Sequence, residues 1–448
     1  MISETPTAIS LFTGAGIGDL GWRNAGFDFL LMNEVDEPRA LLAARNFPET
    51  TVNVGDIWEE KGEIIKRTRT LLAGRQLDLL TCTAPCQGMS KNGQGTLLRN
   101  VRRGLRPRLD PRNRLILPGL SIVKALKPRW VVFENVSEMA STLIEDSQGE
   151  LRPILEVIES ELGPLGYRGK AYDLEFADFG VPQRRRRLIT IYTTVPEALE
   201  ILDQGGSLAP PASHSKDVDA GLLPWVSVAD ALAGFPRLDA STSALAIDST
   251  DPFHRVPLLD ERKYQWVTNT PPGSSAFDNQ CLDCGFDDNP RHGSRKGEDG
   301  VNRANSDTPI NCLRCRAVLP RPHVIEDGAP RIMRGYTSAY KRMAADLPAP
   351  TLTRNLSYAC SDQKLHFSEH RVLSLAEAFT VHTLAEYDYS WIPKGSERAA
   401  KDSLIRLVLG ESVPPRGLFT IGKHLLAIEN GKVTFDPLGQ LSFPLRAA

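Results

Sequence analysis

The sequence predicts an α/β protein, with a mostly parallel sheet covered by helices on both faces and a smaller loop-rich domain beside it. Three observations carry this expectation. Short apolar runs alternate with helical patterns from residue 8 to about residue 193. A glycine cluster follows the first run directly. After about Val195 the chain turns to Pro, Gly, Ser and Asp, and periodicity fades. Buried strands joined through helices must run parallel, because each crossover returns the chain to the same edge.

The elements follow in order. Residues 8–12 are the first apolar run. Residues 29–32 are the second, ending at Glu34 and Asp36. Residues 77–82, 130–133 and 188–192 are later strands. Residues 151–165 carry apolar side chains at 151, 154, 155, 158 and 162, the spacing of one helical face. Residues 203–330 hold only short periodic stretches. Order is expected to return at 336–353, and 371–384 and 404–428 read as helical. The predicted division is 1–195, then 196–385, then a C-terminal segment, 386–448, that returns to the first domain.

The chain has 448 residues, enough for two or three domains. Its net charge of −2 carries no global sign of a polyanionic partner, so local charge must decide that question. The N-terminus lacks a basic start followed by a long apolar stretch, and no run is apolar enough to span a membrane. Four of the seven cysteines form two Cys-x-x-Cys pairs. That pattern suits a reducing cytoplasm and a metal better than a disulfide framework. Cys82 and Cys360 read as packed small residues.

Phe12-Thr13-Gly14-Ala15-Gly16-Ile17-Gly18-Asp19-Leu20-Gly21 leaves the first strand and opens a helix. Such glycines let the backbone turn tightly and approach a ligand. Glu34, ending the second strand, is placed to bind a ribose diol, whether of a nicotinamide cofactor or of S-adenosylmethionine. Asp56 is placed to accept from an adenine amino group. Cys86, in Pro85-Cys86-Gln87, sits just past a strand end beside the same crevice. A thiolate there is a strong nucleophile if positive charge lowers its pKa. Glu134 ends another strand and adds a carboxyl group to the same rim.

An ordered set of motifs now resembles the DNA (cytosine-5) methyltransferase family of bacterial restriction–modification systems. It runs Phe12-x-Gly14-x-Gly16, Asn33-Glu34-Val35-Asp36, Gly55-Asp56-Ile57, Pro85-Cys86-Gln87, Glu134-Asn135-Val136 and Gln183-Arg184-Arg185-Arg186-Arg187. It closes with Arg371-Val372-Leu373-Ser374-x-x-Glu377-Ala378 and Gly410-Glu411-Ser412-Val413-Pro414.

The resemblance implies a Rossmann-like, S-adenosylmethionine-dependent catalytic domain at 1–195 and a target recognition domain at 196–385. Cys86 is then the nucleophile toward carbon 6 of a flipped cytosine. Glu134 partners ring nitrogen 3, and Arg185 and Arg187 hold the active-site loop and the base. Phe12, Gly14, Gly16, Glu34, Asp56, Ile57, Pro85 and Val413 are implied cofactor contacts. The implied partner is double-stranded DNA, met by a monomer, with a cognate restriction endonuclease in the same system. Two positions depart from the family: Val35 stands where an aromatic residue often stacks on adenine, and Glu411 replaces the usual Asn.

Residues 99–114 contain seven arginines and one aspartate, read as a phosphate-contacting loop. Strand alternation should point two of Arg184, Arg185, Arg186 and Arg187 toward the site and two away. Cys281-x-x-Cys284 and Cys312-x-x-Cys315 are two knuckles able to enclose one structural zinc ion. His292 lies between them and is not needed as a ligand. Arg291, Arg295, Lys296, Arg303, Arg314 and Arg316 surround the knuckles as candidate DNA contacts. Two rival readings are a dinucleotide-dependent oxidoreductase and a tRNA cytosine-5 methyltransferase. The first leaves Cys86 and Glu134 unexplained.

Overall fold

All five apolar runs form strands. The computed structural model describes residues 5–85, 110–217, 221–296, 302–305, 307–333, 338–435 and 441–442. The first half begins with β1 (Thr7–Leu11), α1 (Ile17–Ala25), β2 (Asp28–Glu34), α2 (Glu37–Asn46), β3 (Thr51–Val54) and α3 (Ile57–Leu72). It continues with β4 (Leu79–Cys82), α4 (Ile116–Leu126), β5 (Trp130–Asn135), α5 (Ile154–Leu162), β6 (Arg168–Glu175) and β7 (Arg186–Thr193). Among the described residues these strands make one seven-stranded sheet, ordered β3-β2-β1-β4-β5-β7-β6. Neighbours from β3 to β5 are parallel. β7 runs antiparallel between β5 and β6. The edge strand β6 escaped the sequence reading because it is polar and partly exposed, with no apolar run to mark it.

Side-chain alternation splits the core into two layers. Ala8, Trp130, Val132, Ile189 and Ile191 face one layer, with Leu20 and Trp22 of α1. Ile9, Leu11, Val131, Phe133 and Leu188 face the other, with Ile64 of α3, Ile122 of α4 and Val157 of α5.

Prolines account for two departures from the predicted helices. The expected helix at 151–165 begins only at Ile154, because Pro153 caps it and Leu151 lies in a short hairpin with Leu143–Glu145. Past α6 (Pro196–Asp203) and the loop-rich region comes α7 (Leu375–Val381). The expected helix at 404–428 is two helices, α8 (Asp402–Glu411) and α9 (Pro415–Glu429). Pro414 and Pro415 cannot continue a helix but can start one. α9 returns to the sheet, burying Leu418, Ile421 and Leu425 in the same layer as α1.

The second region has little regular structure. The order expected at 336–353 reduces, among the described residues, to isolated bridges at Ala339, Lys341 and Arg342 and a strand Ala349–Pro350 paired with Gln183–Arg184. The Arg371 motif proves to be a brace. The Arg371 guanidinium donates to both carboxylate oxygens of Glu377 at 2.6 Å, with both side chains fully buried. Ser374 and Glu377 also form the capping box that starts α7. Cys82 is buried as expected, whereas Cys360 is exposed: it lies in an irregular turn outside both layers. No helix among the described residues is long and apolar enough to cross a membrane.

Candidate functional site

The strand order reverses between β1 and β4, where open α/β sheets leave a crevice at their carboxyl ends. A cleft of about 420 Å³ opens there. Its walls are the residues at and just past the ends of β1, β2, β4 and β5, closed from the far side by residues 410–413, at the end of α8 and the start of the turn into α9.

Local hydrogen bonds fix the first wall. Thr13 N–H donates to the Asn33 carbonyl at 3.0 Å, tying the glycine turn to the end of β2. The Glu34 carboxylate accepts from Gly14 N–H at 2.8 Å and from Asp36 N–H at 3.0 Å. Its position is therefore set by the backbone. Thr83 Oγ1 donates to the Phe12 carbonyl at 2.8 Å, joining the loops after β1 and β4. Asn135 Nδ2 donates to the Ala84 carbonyl at 3.0 Å, bracing the segment before Pro85 from β5.

Glu134 is the acid of the second wall. Arg187 Nε meets Glu134 Oε1 at 2.8 Å, with both side chains about one-eighth exposed (13% and 12%). Burial pushes the Glu134 carboxyl above its ordinary value, and the Arg187 and Arg185 guanidiniums pull it back. The alternation expected of the four arginines holds: Arg185 is fully buried and Arg187 nearly so, while Arg184 and Arg186 point outward. Arg185 reaches backward. Its Nη1 donates to the Leu352 carbonyl at 3.1 Å, and its Nη2 to the carbonyls of Gly410 at 3.2 Å and Glu411 at 3.3 Å. Gly410 lets the Thr353–Arg354 backbone pack against this segment, since a Cβ there would stand 2.2 Å from the Arg354 nitrogen.

Of the residues singled out from sequence, Phe12, Gly14, Glu34, Pro85, Glu134, Arg185, Arg187 and Val413 line this one cleft. Gly16, Asp56 and Ile57 do not line it. Gly16 backs onto Phe47 and Ile57 is core. Asp56 is exposed at the start of α3, where its carboxylate accepts from Trp58 N–H at 2.8 Å. Cys86 and residues 86–109 of the arginine-rich loop lie outside the described residues. The last two arginines of that loop are bound by the protein itself: Arg112 by Asp110 at 2.6 Å, Arg114 near Glu145 at 3.8 Å.

Among the lining residues given no role in the cleft from sequence are Asp19, Arg39 and Arg112. Asp19 accepts a short hydrogen bond from Thr13 Oγ1, and burial pushes its carboxyl up to about 6. An acid inside the glycine turn, at the start of an amphipathic helix, was the available signal. Arg112 was hidden in the arginine run, although Asp110 two residues before it marked a pair.

The four knuckle cysteines come together far from the cleft in sequence. Their sulfurs all lie within 4.8 Å of one another. Cys281 Sγ is 3.5 Å from Cys315 and 3.6 Å from Cys284, and Cys284 is 3.8 Å from Cys312. Thiolates about 2.3 Å from one tetrahedral zinc ion stand about 3.8 Å apart, so the donor set fits such an ion. The two knuckles share a backbone shape. Gly285 and Arg316, each directly after a second cysteine, have φ of +65° and +68°. His292 is turned away, stacked on Phe277 and bonded to Thr308. Arg291, Arg314 and Arg316 are exposed around the knuckles. The side chains of Arg295, Lys296 and Arg303 lie outside the described part.

Residues 7–217 match the C-5 cytosine-specific DNA methylase family. The chain is 27% identical to the Type II methyltransferase M1.HgaI of Avibacterium volantium, over 91% of this chain and 94% of that protein. It is 31% identical to the Type II methyltransferase M.AquIA of Picosynechococcus, over 54% of this chain and 94% of that protein. In fold it is similar to a DNA modification methyltransferase encoded within an E. coli prophage. That match has a TM-score of 0.53 and 18% identity, and covers 95% of this chain and 99% of that one.

Proposed function

The chain belongs to the C-5 cytosine-specific DNA methylase family, and from that premise we propose a covalent mechanism and assign its residues. The reaction methylates carbon 5 of cytosine in DNA at a specific sequence. Carbon 5 is a poor nucleophile until carbon 6 carries an adduct. Cys86 supplies the adduct by attacking carbon 6 as a thiolate, which turns the C5=C6 double bond into a single bond and leaves a nucleophilic C4=C5 enamine. Glu134 lends a proton at ring nitrogen 3, where negative charge develops. Its raised proton affinity in the buried site supports that assignment. Arg187 fixes the carboxyl group, and Arg185 holds the wall behind it. Loss of the carbon 5 proton and expulsion of the Cys86 thiolate restore the enzyme.

The cleft suits S-adenosylmethionine, which supplies the methyl group when bound. A Cβ at Gly14 would meet nothing within 4 Å, so the turn leaves open space there for a ligand. Glu34, locked by two backbone donors, is held ready for a ribose diol. Phe12, Pro85 and Val413 supply apolar walls. Gly16, Asp56 and Ile57 are kept as contacts on family grounds, with Gly16 acting through the shape of the turn. The cytosine must leave the duplex to reach Cys86, at an unstacking cost that DNA contacts offset.

The observation that carries this reading is Glu134, desolvated on the rim and gripped by Arg187 beside the segment leading into Cys86. We assign residues 1–195 and 386–448 to the catalytic domain and 196–385 to target recognition. Cys281, Cys284, Cys312 and Cys315 hold a structural zinc ion that orders the recognition loops. On family grounds we assign a cytoplasmic monomer that acts on double-stranded DNA. Relatives named Type II methyltransferases favour a cognate restriction endonuclease as companion. Labelled methyl transfer to duplex DNA, followed by nucleoside analysis, tests the assignment. Label in 5-methylcytosine is expected for wild type, and near-normal transfer by Cys86→Ser overturns the mechanism.

A further inference from the structure

Glu411 is one of the two positions that depart from the family, and its side chain has a specific partner. Arg39 Nη1 meets Glu411 Oε2 at 3.0 Å. Arg39 stands in the first turn of α2, on the wall that carries Glu34 and Asp36. Glu411 ends α8, on the opposite wall. Both side chains line the cleft, and they are 21% and 35% exposed.

Two further observations give the pair a role beyond bracing. Val35, the other departure, is 62% exposed and offers that wall little cover. Arg39, four residues further on in the first turn of α2, lines the same cleft as Val35. The Glu411 backbone carbonyl also accepts from Arg185, the guanidinium behind Glu134. One residue thus touches the cofactor wall with its side chain and the arginine behind the acid with its backbone. The charged groups facing the pair are Asp36, 3.8 Å from Arg39 Nε, and Arg185.

We propose that the Arg39–Glu411 pair is a clasp across the cofactor cleft, which covers the bound nucleoside and slows its release. The proposal rests on the reading of the cleft as the S-adenosylmethionine site. Among the described residues the cysteines are free and no disulfide joins the two walls, so the pair is a reversible bridge. A partly buried pair is also weakened by salt less steeply than a surface one, but measurably.

The test is calorimetric binding of S-adenosylhomocysteine to the full chain, with its dissociation rate followed by stopped flow. Wild type, Arg39→Ala, Glu411→Gln and the double variant are compared at low and high salt. Each single variant is expected to weaken binding and speed release by about threefold to tenfold. The double variant should be no worse than the weaker single one. Added salt should weaken binding to wild type more than to the variants, and KM for the methyl donor should move more than kcat. Equal affinity and release across all four proteins, with only melting temperature changed, overturns the clasp and leaves a wall brace. If wild type itself fails to bind the ligand, the cleft reading falls, and the clasp with it.

Discussion

The sheet domain and the loop-rich domain are held together by different means. In the sheet, strands satisfy one another's backbone groups, and two apolar layers close over them. Around residues 260–372 few strands do this, and side chains take over. Arg342 is buried and donates to the carbonyls of Thr270, Val267 and His366 at 2.8, 2.8 and 2.6 Å. Arg321 does the same for Asn279, Pro290 and Pro309 at 2.8, 2.8 and 3.0 Å. The cysteine cluster adds a third tie. The self-supporting sheet carries the chemistry on its rim, where groups must hold fixed positions. The loop region is free in backbone shape, as a surface that reads one DNA sequence must be, and depends on a few interior polar side chains.

That contrast can be broken at several points. Glu134→Gln should lower kcat by about 10²- to 10⁴-fold while leaving the melting temperature nearly unchanged, because the rim does not hold the sheet together. Removing metal with a chelator should do the reverse. Metal should fall from about one per chain to none, and protease should then cut between residues 277 and 321 while cofactor binding survives. A metal-free protein that is fully active and protease-resistant would contradict the zinc assignment. Arg342→Met should cost about 3 kcal/mol or more in urea unfolding, because it strands several buried carbonyls at once. Ile189→Val, buried in the sheet, should cost only about 1 kcal/mol.

Asp19 sharpens the comparison from the sheet side. Its folded-state pKa, about 6, lies above its ordinary value. The folded state therefore holds the proton more tightly than the unfolded chain. Stability from this group is fully present below about pH 4 and is lost as pH rises through about 6, by up to about 3 kcal/mol. Asp19→Asn should abolish that loss, so its advantage over wild type should appear at pH 8 and vanish at pH 4. Equal pH profiles for the two proteins would show that Asp19 keeps its charge at no cost.

The sequence was most legible where period and order coincide. All five apolar runs became strands, and Glu34, Pro85 and Glu134 reached one cleft, because each stands at a strand's carboxyl end. The knuckle spacing likewise placed four sulfurs together. What stayed hidden depends on contacts between distant segments. Arg39 carries no local signal and Glu411 stood out only as a departure from the family; their pairing acquires meaning only when α8 docks opposite α2. Nothing in the sequence marks Arg342 and Arg321, and only the folded loops show them buried. Asp56 and Ile57 do not line the cleft; helix capping and core packing hold their side chains, and they stay contacts on family grounds alone.

The most direct test of the central claim is to trap the adduct. Wild-type protein, S-adenosylmethionine and duplex DNA carrying 5-fluorocytosine at the target position should give a denaturant-stable protein–DNA complex, because fluorine cannot leave as the carbon 5 proton does. Peptide mapping should place the cross-link on Cys86, and Cys86→Ser should give none. A stable complex formed by Cys86→Ser, or a cross-link at another residue, would contradict the assignment of Cys86 as the nucleophile.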